Sequence, residues 1–187
     1  VKVTARDPGT NVKLSAGTKI VNNVIASTTD IEATTTNNMA AATTTVPAFD
    51  LTISKTGSIE GAYPGATPGA PLSYTIVVGN KSTQPACSVY FTDTLPAGYD
   101  YTGITPLNST IQDELGNNTK FETPLGTPIN SAVPLVITSS GSTYRYELGS
   151  PYANVCMPAN TSATFTINGK VNPAVLDGTT LSNTVHI

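Results

Sequence analysis

PLSYTIVVGN, residues 71–80, places Leu72, Tyr74, Ile76 and Val78 at every second position. Successive side chains of a strand point to opposite faces, so this spacing predicts a half-buried β-strand with those four on the core side. CSVYFTDTL (87–95) continues the theme with Val89, Phe91 and Leu95, and Asp93 falls in phase with them. Five further stretches read as strands: DLTISKT (50–56), VPLVITS (133–139), STYRYELG (142–149), TSATFTINGKV (161–171) and TLSNTVHI (180–187). Clusters of Gly, Pro, Asn and Thr separate them, and helical periodicity is absent, which predicts an all-β antiparallel sandwich. GAYPGATPGAP (61–71) reads as a loop, and 102–132 is loop-rich.

Composition narrows the function classes. The chain has 187 residues, enough for one large domain or a domain plus a fragment. Charged residues make up 11 %, against roughly 25 % in ordinary soluble domains, and Thr, Ser and Asn supply the polar surface. Such a composition points to an extracellular wall or appendage protein. A net charge of −3 with only nine Lys plus Arg gives no electrostatic footprint for nucleic acid or an anionic membrane surface. No apolar run approaches the roughly 20 residues of a membrane-spanning helix. The opening VKVTARD is neither a signal nor a transit peptide and reads like mid-strand sequence, as in a mature or excised piece of a longer chain. With one histidine, His186 near the end of the chain, no Ser/His/Asp arrangement or zinc site is credible, and no cofactor motif is present. Cys87 and Cys156 leave two readings open, a disulfide between neighbouring strands or two separate buried thiols, and an exported β-protein favours the first.

The chain also repeats itself. GTKIVNNVIA (17–26) matches GTTLSNTVHI (178–187), and VTARDP (3–8) matches GKVNP (169–173) in character. Residues 1–26 therefore read as the C-terminal strands of a preceding repeat, 27–49 as a Thr/Ala/Asn-rich connector, extended or partly strand, and 50–187 as a complete repeat. Two strands do not bury a core alone, so 1–26 are expected to pack on the full domain, to be disordered, or to pair with another copy by strand exchange.

The elements DLTISKTG, YTIVVGNKSTQPACSVYFTDTLPAGYDY, MPANTSATFTINGKV and LSNTVHI, with NNMAAATTTV as a junction, resemble the tandem surface-repeat family called domain of unknown function eleven. The resemblance covers 50–187 as a unit and 1–48 as the tail of a previous one. The Pro/Gly loop at 61–71, the insert around 108–132 and both cysteines depart from the family pattern. It implies an immunoglobulin-like antiparallel β-sandwich serving as a non-enzymatic building block of surface stalks, adhesins or filaments, with neighbouring repeats or identical copies as partners. The alternative is an adhesin domain that recognises a glycan or host protein through the loops at 61–71 and 102–132.

Within such a sandwich the first and last strands commonly lie side by side. Lys55 is in step with Leu51 and Ile53, Asp93 with Val89 and Phe91, and Asn183 with Leu181 and Val185. Three inward polar residues meeting in one apolar pocket are the chemistry set for a spontaneous Lys–Asn isopeptide bond. Burial favours a neutral, nucleophilic Lys55 and a protonated Asp93 that polarises the Asn183 amide. Asn22 is the equivalent of Asn183 in the truncated repeat. The plainer alternative has Lys55 snorkelling to solvent, Asp93 capping the turn at Pro96, and Asn183 bonding nearby backbone.

Other polar groups carry less. Asp113, Glu114, Asn117 and Asn118 offer oxygens to calcium, but their spacing is not that of an EF-hand loop and a solvated turn accounts for them. Glycosylation sequons occur at Asn80, Asn108, Asn117 and Asn160. Tyr99, Tyr101, Tyr144 and Tyr146 read either as a carbohydrate-binding face or as cross-strand packing.

Overall fold

The computed structural model describes residues 14–59, 67–149 and 155–187 and divides between Ala48 and Phe49 into two units. The VTARDP segment and most of the 61–71 loop lie outside the described residues. In the first unit, β1 (Lys19–Ile25) pairs antiparallel along its whole length with β2 (Met39–Thr45), from Lys19↔Thr45 to Ile25↔Met39. Part of the 27–49 stretch is thus strand. Every residue of both strands is exposed, Val21, Val24 and Ile25 included.

The second unit is all-β. Its strands are β3 (Leu51–Ile59), β4 (Pro71–Asn80), β5 (Ala86–Cys87), β6 (Tyr90–Thr94), β7 (Tyr99–Thr105), β8 (Asn108–Ser109) and β9 (Ile111–Gln112). They continue with β10 (Asn118–Thr119), β11 (Val133–Ser140), β12 (Thr143–Leu148), β13 (Cys156–Met157), β14 (Thr161–Val171) and β15 (Thr184–His186). One antiparallel sheet runs β10-β9-β14-β4-β3, with β7 also on β14, and the other runs β15-β6-β12-β11-β8. Their inner faces make the core of an immunoglobulin-like sandwich, where Leu72, Tyr74, Ile76 and Val78 meet Phe91, Tyr146, Leu148, Phe165 and Ile167.

The strands at 71–80 and 161–171 have the boundaries the alternation predicts. The 87–95 segment instead splits, because Ser88 takes a left-handed backbone (φ 57°) between β5 and β6. The last strand is shorter than predicted and pairs only over Thr184↔Thr94, Val185↔Asp93 and His186↔Thr92. The first and last strands of the domain do lie together, but not as neighbours in a ladder. β3 bonds β4 and β15 bonds β6, so the two are facing edge strands of opposite sheets, in contact across the open side of the sandwich.

Cys87 and Cys156 oppose each other in the β5–β13 pairing and form a disulfide. The same corner holds a knot built by Asn80, which is fully buried. Its amide nitrogen faces the carbonyls of Gln84, Met157 and Pro158 at 2.9–3.0 Å, and its oxygen accepts from the Ser82 amide. The Asn80 sequon is therefore closed to a glycan, since its acceptor nitrogen is spent on backbone.

Candidate functional site

Alternation along β3 turns Leu51, Ile53 and Lys55 inward, and pairing with β4 sets Lys55 opposite Ile76. The lysine side chain is 10 % exposed, and its ammonium donates to both oxygens of Asp93 at 2.8 and 2.7 Å. Asp93 is fully buried on the inner face of β6, so this ion pair spans the two sheets. Tyr74, on β4, lies beneath the ammonium with its ring centroid 4.6 Å from Nζ. Neither residue behaves as the plainer reading expects. Lys55 turns inward onto Asp93, leaving a tenth of its side chain exposed, and Asp93 is committed to Lys55.

Asn183 completes the cluster. It precedes β15 by one residue and shares the inward phase of Leu181 and Val185. Both amide atoms are buried, and neither closes a hydrogen bond of proper geometry. The side chain nonetheless lies near enough to Asp93 to favour that carboxylate's charged form. A buried amide without partners costs about 1–3 kcal/mol, so this arrangement needs a reason.

The electrostatics push the ion pair towards its neutral form. Burial lowers the Lys55 amine below its ordinary value, against the opposing pull of Asp93. Burial raises the Asp93 carboxyl, against Lys55 and Asn183. For each partner, desolvation thus outweighs the attraction of the other.

Aromatic rings pack in the core beside this cluster. Tyr74 packs on Tyr99 (centroids 5.3 Å apart), Phe91 stacks on Tyr146 (4.8 Å) and Tyr101 packs on Tyr144 (4.6 Å). Burial raises the hydroxyl pKa of Tyr74, Tyr99, Tyr101 and Tyr146, so all four stay neutral. Tyr99 donates towards the Leu72 and Ile167 carbonyls. Tyr99, Tyr101, Tyr144 and Tyr146 therefore do cross-strand and cross-sheet packing and present no stacked platform to a glycan.

Placement of Asn183 depends on the loop before it. Gly98 has φ +90°, and a β-carbon there would stand 2.5 Å from Val175 and 3.3 Å from Leu181. The close approach seats the 175–181 segment that carries Asn183 inward. A cavity of about 320 Å³ adjoins this corner, lined by Leu72, Tyr74, Val171, Val175 and Leu181 among others. Sequence patterning singled out Lys55, Asp93 and Asn183, which the structure brings together, but not Tyr74 under the ammonium or the Asn80 knot. Tyr74 was visible only as a core residue, because its relation to Lys55 depends on the β3–β4 register.

The remaining candidates resolve simply. Asn22 is exposed in β1, opposite Ala42. The Asp113 carboxylate accepts from the Leu115 and Asn117 amides and from the Asn117 side chain, which closes the β9–β10 turn and holds its pKa low. Among the described residues, no group of three His, Cys, Asp or Glu is placed to hold a metal ion, and no helix is long and apolar enough to cross a membrane.

No family model matches the chain, and no curated protein matches it. Solved structures similar to it include the T6 backbone pilin of serotype M6 Streptococcus pyogenes (16 % identity, 78 % of this chain and 29 % of that one, TM-score 0.41). The pilus backbone RrgB from Streptococcus pneumoniae is similar at 13 % identity over 72 % of this chain and 51 % of that one (TM-score 0.38). The collagen-binding domain of the Erysipelothrix rhusiopathiae surface protein RspB is similar at 14 % identity over 94 % of this chain and 51 % of that one (TM-score 0.41). The chain thus spans from under a third to about half the length of these proteins, and likeness at this level does not assign it a function.

Proposed function

We propose that the chain is a non-enzymatic structural module of an extracellular stalk, adhesin or self-assembling filament, locked internally by an isopeptide bond between Lys55 and Asn183. The observation that carries the proposal is the buried, unpartnered Asn183 amide beside the Lys55–Asp93 pair that spans the two sheets. In the reaction, Asp93 takes a proton from the Lys55 ammonium, and the neutral Nζ attacks Cγ of Asn183. Protonated Asp93 donates towards the amide and passes its proton to the departing nitrogen, and the attacking Nζ then gives its second proton to the Asp93 carboxylate, which ends protonated. The Nζ–Cγ bond forms, the Cγ–Nδ2 bond breaks, and one ammonia leaves. No oxidant or cofactor is needed, and the chain turns over once.

The product suits a load-bearing module. The bond ties one edge strand of each sheet together and encloses more than 100 residues. The disulfide closes a second loop, between residues 69 apart, and belongs to an oxidising compartment.

Intact-mass spectrometry tests the proposal. The purified chain should be lighter than its sequence by one ammonia in addition to the two hydrogens of the disulfide. Proteolysis should yield a branched peptide joining Lys55 to Asn183, and Lys55→Ala should restore the missing mass. A wild-type chain carrying its full ammonia complement overturns the reading.

A further inference from the structure

The repeat between β1 and β15 extends from side-chain pattern to backbone direction. In an antiparallel ladder each residue turns its N–H and C=O to one side, and alternate residues turn to opposite sides. The Val46 amide donates to the Thr18 carbonyl and the Ala26 amide to the Asn38 carbonyl, so Thr18 and Ala26 face β2. By the period of two, Ile20, Asn22 and Val24 face it as well.

The same reasoning applies at the last strand. The Leu95 amide donates to the Ser142 carbonyl, which continues the β6–β12 ladder from Thr94↔Thr143. Residues 91, 93 and 95 therefore face β12, while Thr92 and Thr94 face β15. Their partners His186 and Thr184 spend their backbone groups on β6. Asn183 and Val185 turn theirs to the outer edge, where no strand is paired among the described residues. Asn183 corresponds to Asn22 and Val185 to Val24. The free edge of β15 is thus the counterpart of the edge by which β1 binds β2.

We propose that this free edge is a docking site for segment 39–45 of a second copy of the chain. The segment leaves its own β1 and pairs antiparallel with β15, Ala42 opposite Asn183 and Ala40 opposite Val185. Directly opposed residues share a face, so Ala40 and Ala42 point into the cleft between β15 and β3. These two edge strands are already in contact, and methyl groups fit where larger side chains do not. The exchange is easy to start, because a two-stranded hairpin is marginal in water and every residue of β1 and β2 is exposed. It trades one ladder for an equivalent one that joins a five-stranded sheet, the condition for strand exchange between identical chains.

This deepens the filament reading by naming the partner, yet the edge exists whether or not Lys55 and Asn183 are joined. The test mixes full-length chains carrying Thr184→Cys with chains carrying Ala41→Cys, both exposed positions that this register places opposite each other. Mild oxidation should give a covalent heterodimer, and Thr45→Cys in place of Ala41→Cys should give none. Ala42→Pro, which removes the N–H directed at β15, should abolish the heterodimer while leaving the thermal unfolding of the second unit unchanged. Absence of heterodimer, equal yield with Thr45→Cys, or a doubly substituted chain that closes only on itself at high dilution overturns the proposal. Running the mixture in a Lys55→Ala background separates the two ideas, since heterodimer is expected there although the isopeptide bond is impossible.

Discussion

Replacing Asn183 by alanine puts the covalent and the non-covalent accounts of the site into opposite signs. Without a bond, Asn183→Ala removes a buried amide that has no partner and leaves the Lys55–Asp93 ion pair intact. Relief of that unmet desolvation stabilises by about 1–3 kcal/mol, and a half-buried position leaves little cavity behind. With the bond, the substitution deletes a cross-link enclosing more than 100 residues, which the chain-entropy picture values at about 5 kcal/mol. For a domain of this size each kcal/mol moves the unfolding midpoint by roughly 2–4 °C. Asn183→Ala should therefore lower the midpoint by roughly 10–20 °C if the bond forms. If it does not, the midpoint should stay or rise by a few degrees. Scanning calorimetry of wild type and variant, with the disulfide intact in both, reads the difference, and an unchanged or raised midpoint refutes the reasoning. Lys55→Ala is a weaker discriminator, because it also strands a buried carboxyl, and that cost alone reaches several kcal/mol.

Three further outcomes follow from the same geometry. The rate of bond formation in freshly synthesised chain should be bell-shaped in pH, followed by mass at timed quenches. The reactive species is the pair holding one proton between Lys55 and Asp93. Activity is lost on the acid side when the raised Asp93 carboxyl takes a second proton, and on the basic side when the lowered Lys55 amine gives up the last one. The acid limb should thus lie above the ordinary aspartate range and the basic limb below the ordinary lysine range, and a monotonic profile contradicts the scheme. Asn80→Ala should cost about 3 kcal/mol in urea unfolding, since it strips the donor from three carbonyls at the β4–β14 corner. A loss under about 0.5 kcal/mol would mean the knot is ornamental. Replacing Cys87 and Cys156 together by alanine should cost about 4 kcal/mol by loss of loop closure, with the ammonia deficit of the parent retained.

The parts of the fold that sequence made legible are those where two periodicities coincide. Alternation placed β4 and β14 to the residue because both are long, lie in the interior of one sheet and present a continuous apolar face. The 87–95 segment carried the same alternation, but nothing in its residues marks Ser88 as the one that leaves the ladder. The site was readable for a related reason. Lys55, Asp93 and Asn183 each break an apolar phase without shifting it, and a polar group held in a core phase is an anomaly that local patterning exposes. Asn80 is as buried as Asp93, yet it escaped, because its partners Met157 and Pro158 lie 77 and 78 residues downstream and no periodic pattern links them. The edge of β15 belongs to this second kind. The match between GTKIVNNVIA and GTTLSNTVHI could be seen in the sequence, but which side of each strand carries the ladder is a property of backbone hydrogen bonds. Only when Thr18, Ala26 and Leu95 are seen to donate or accept does the repeat become directional, and direction is what makes the β2-filled edge of β1 and the edge of β15, unpaired among the described residues, equivalent.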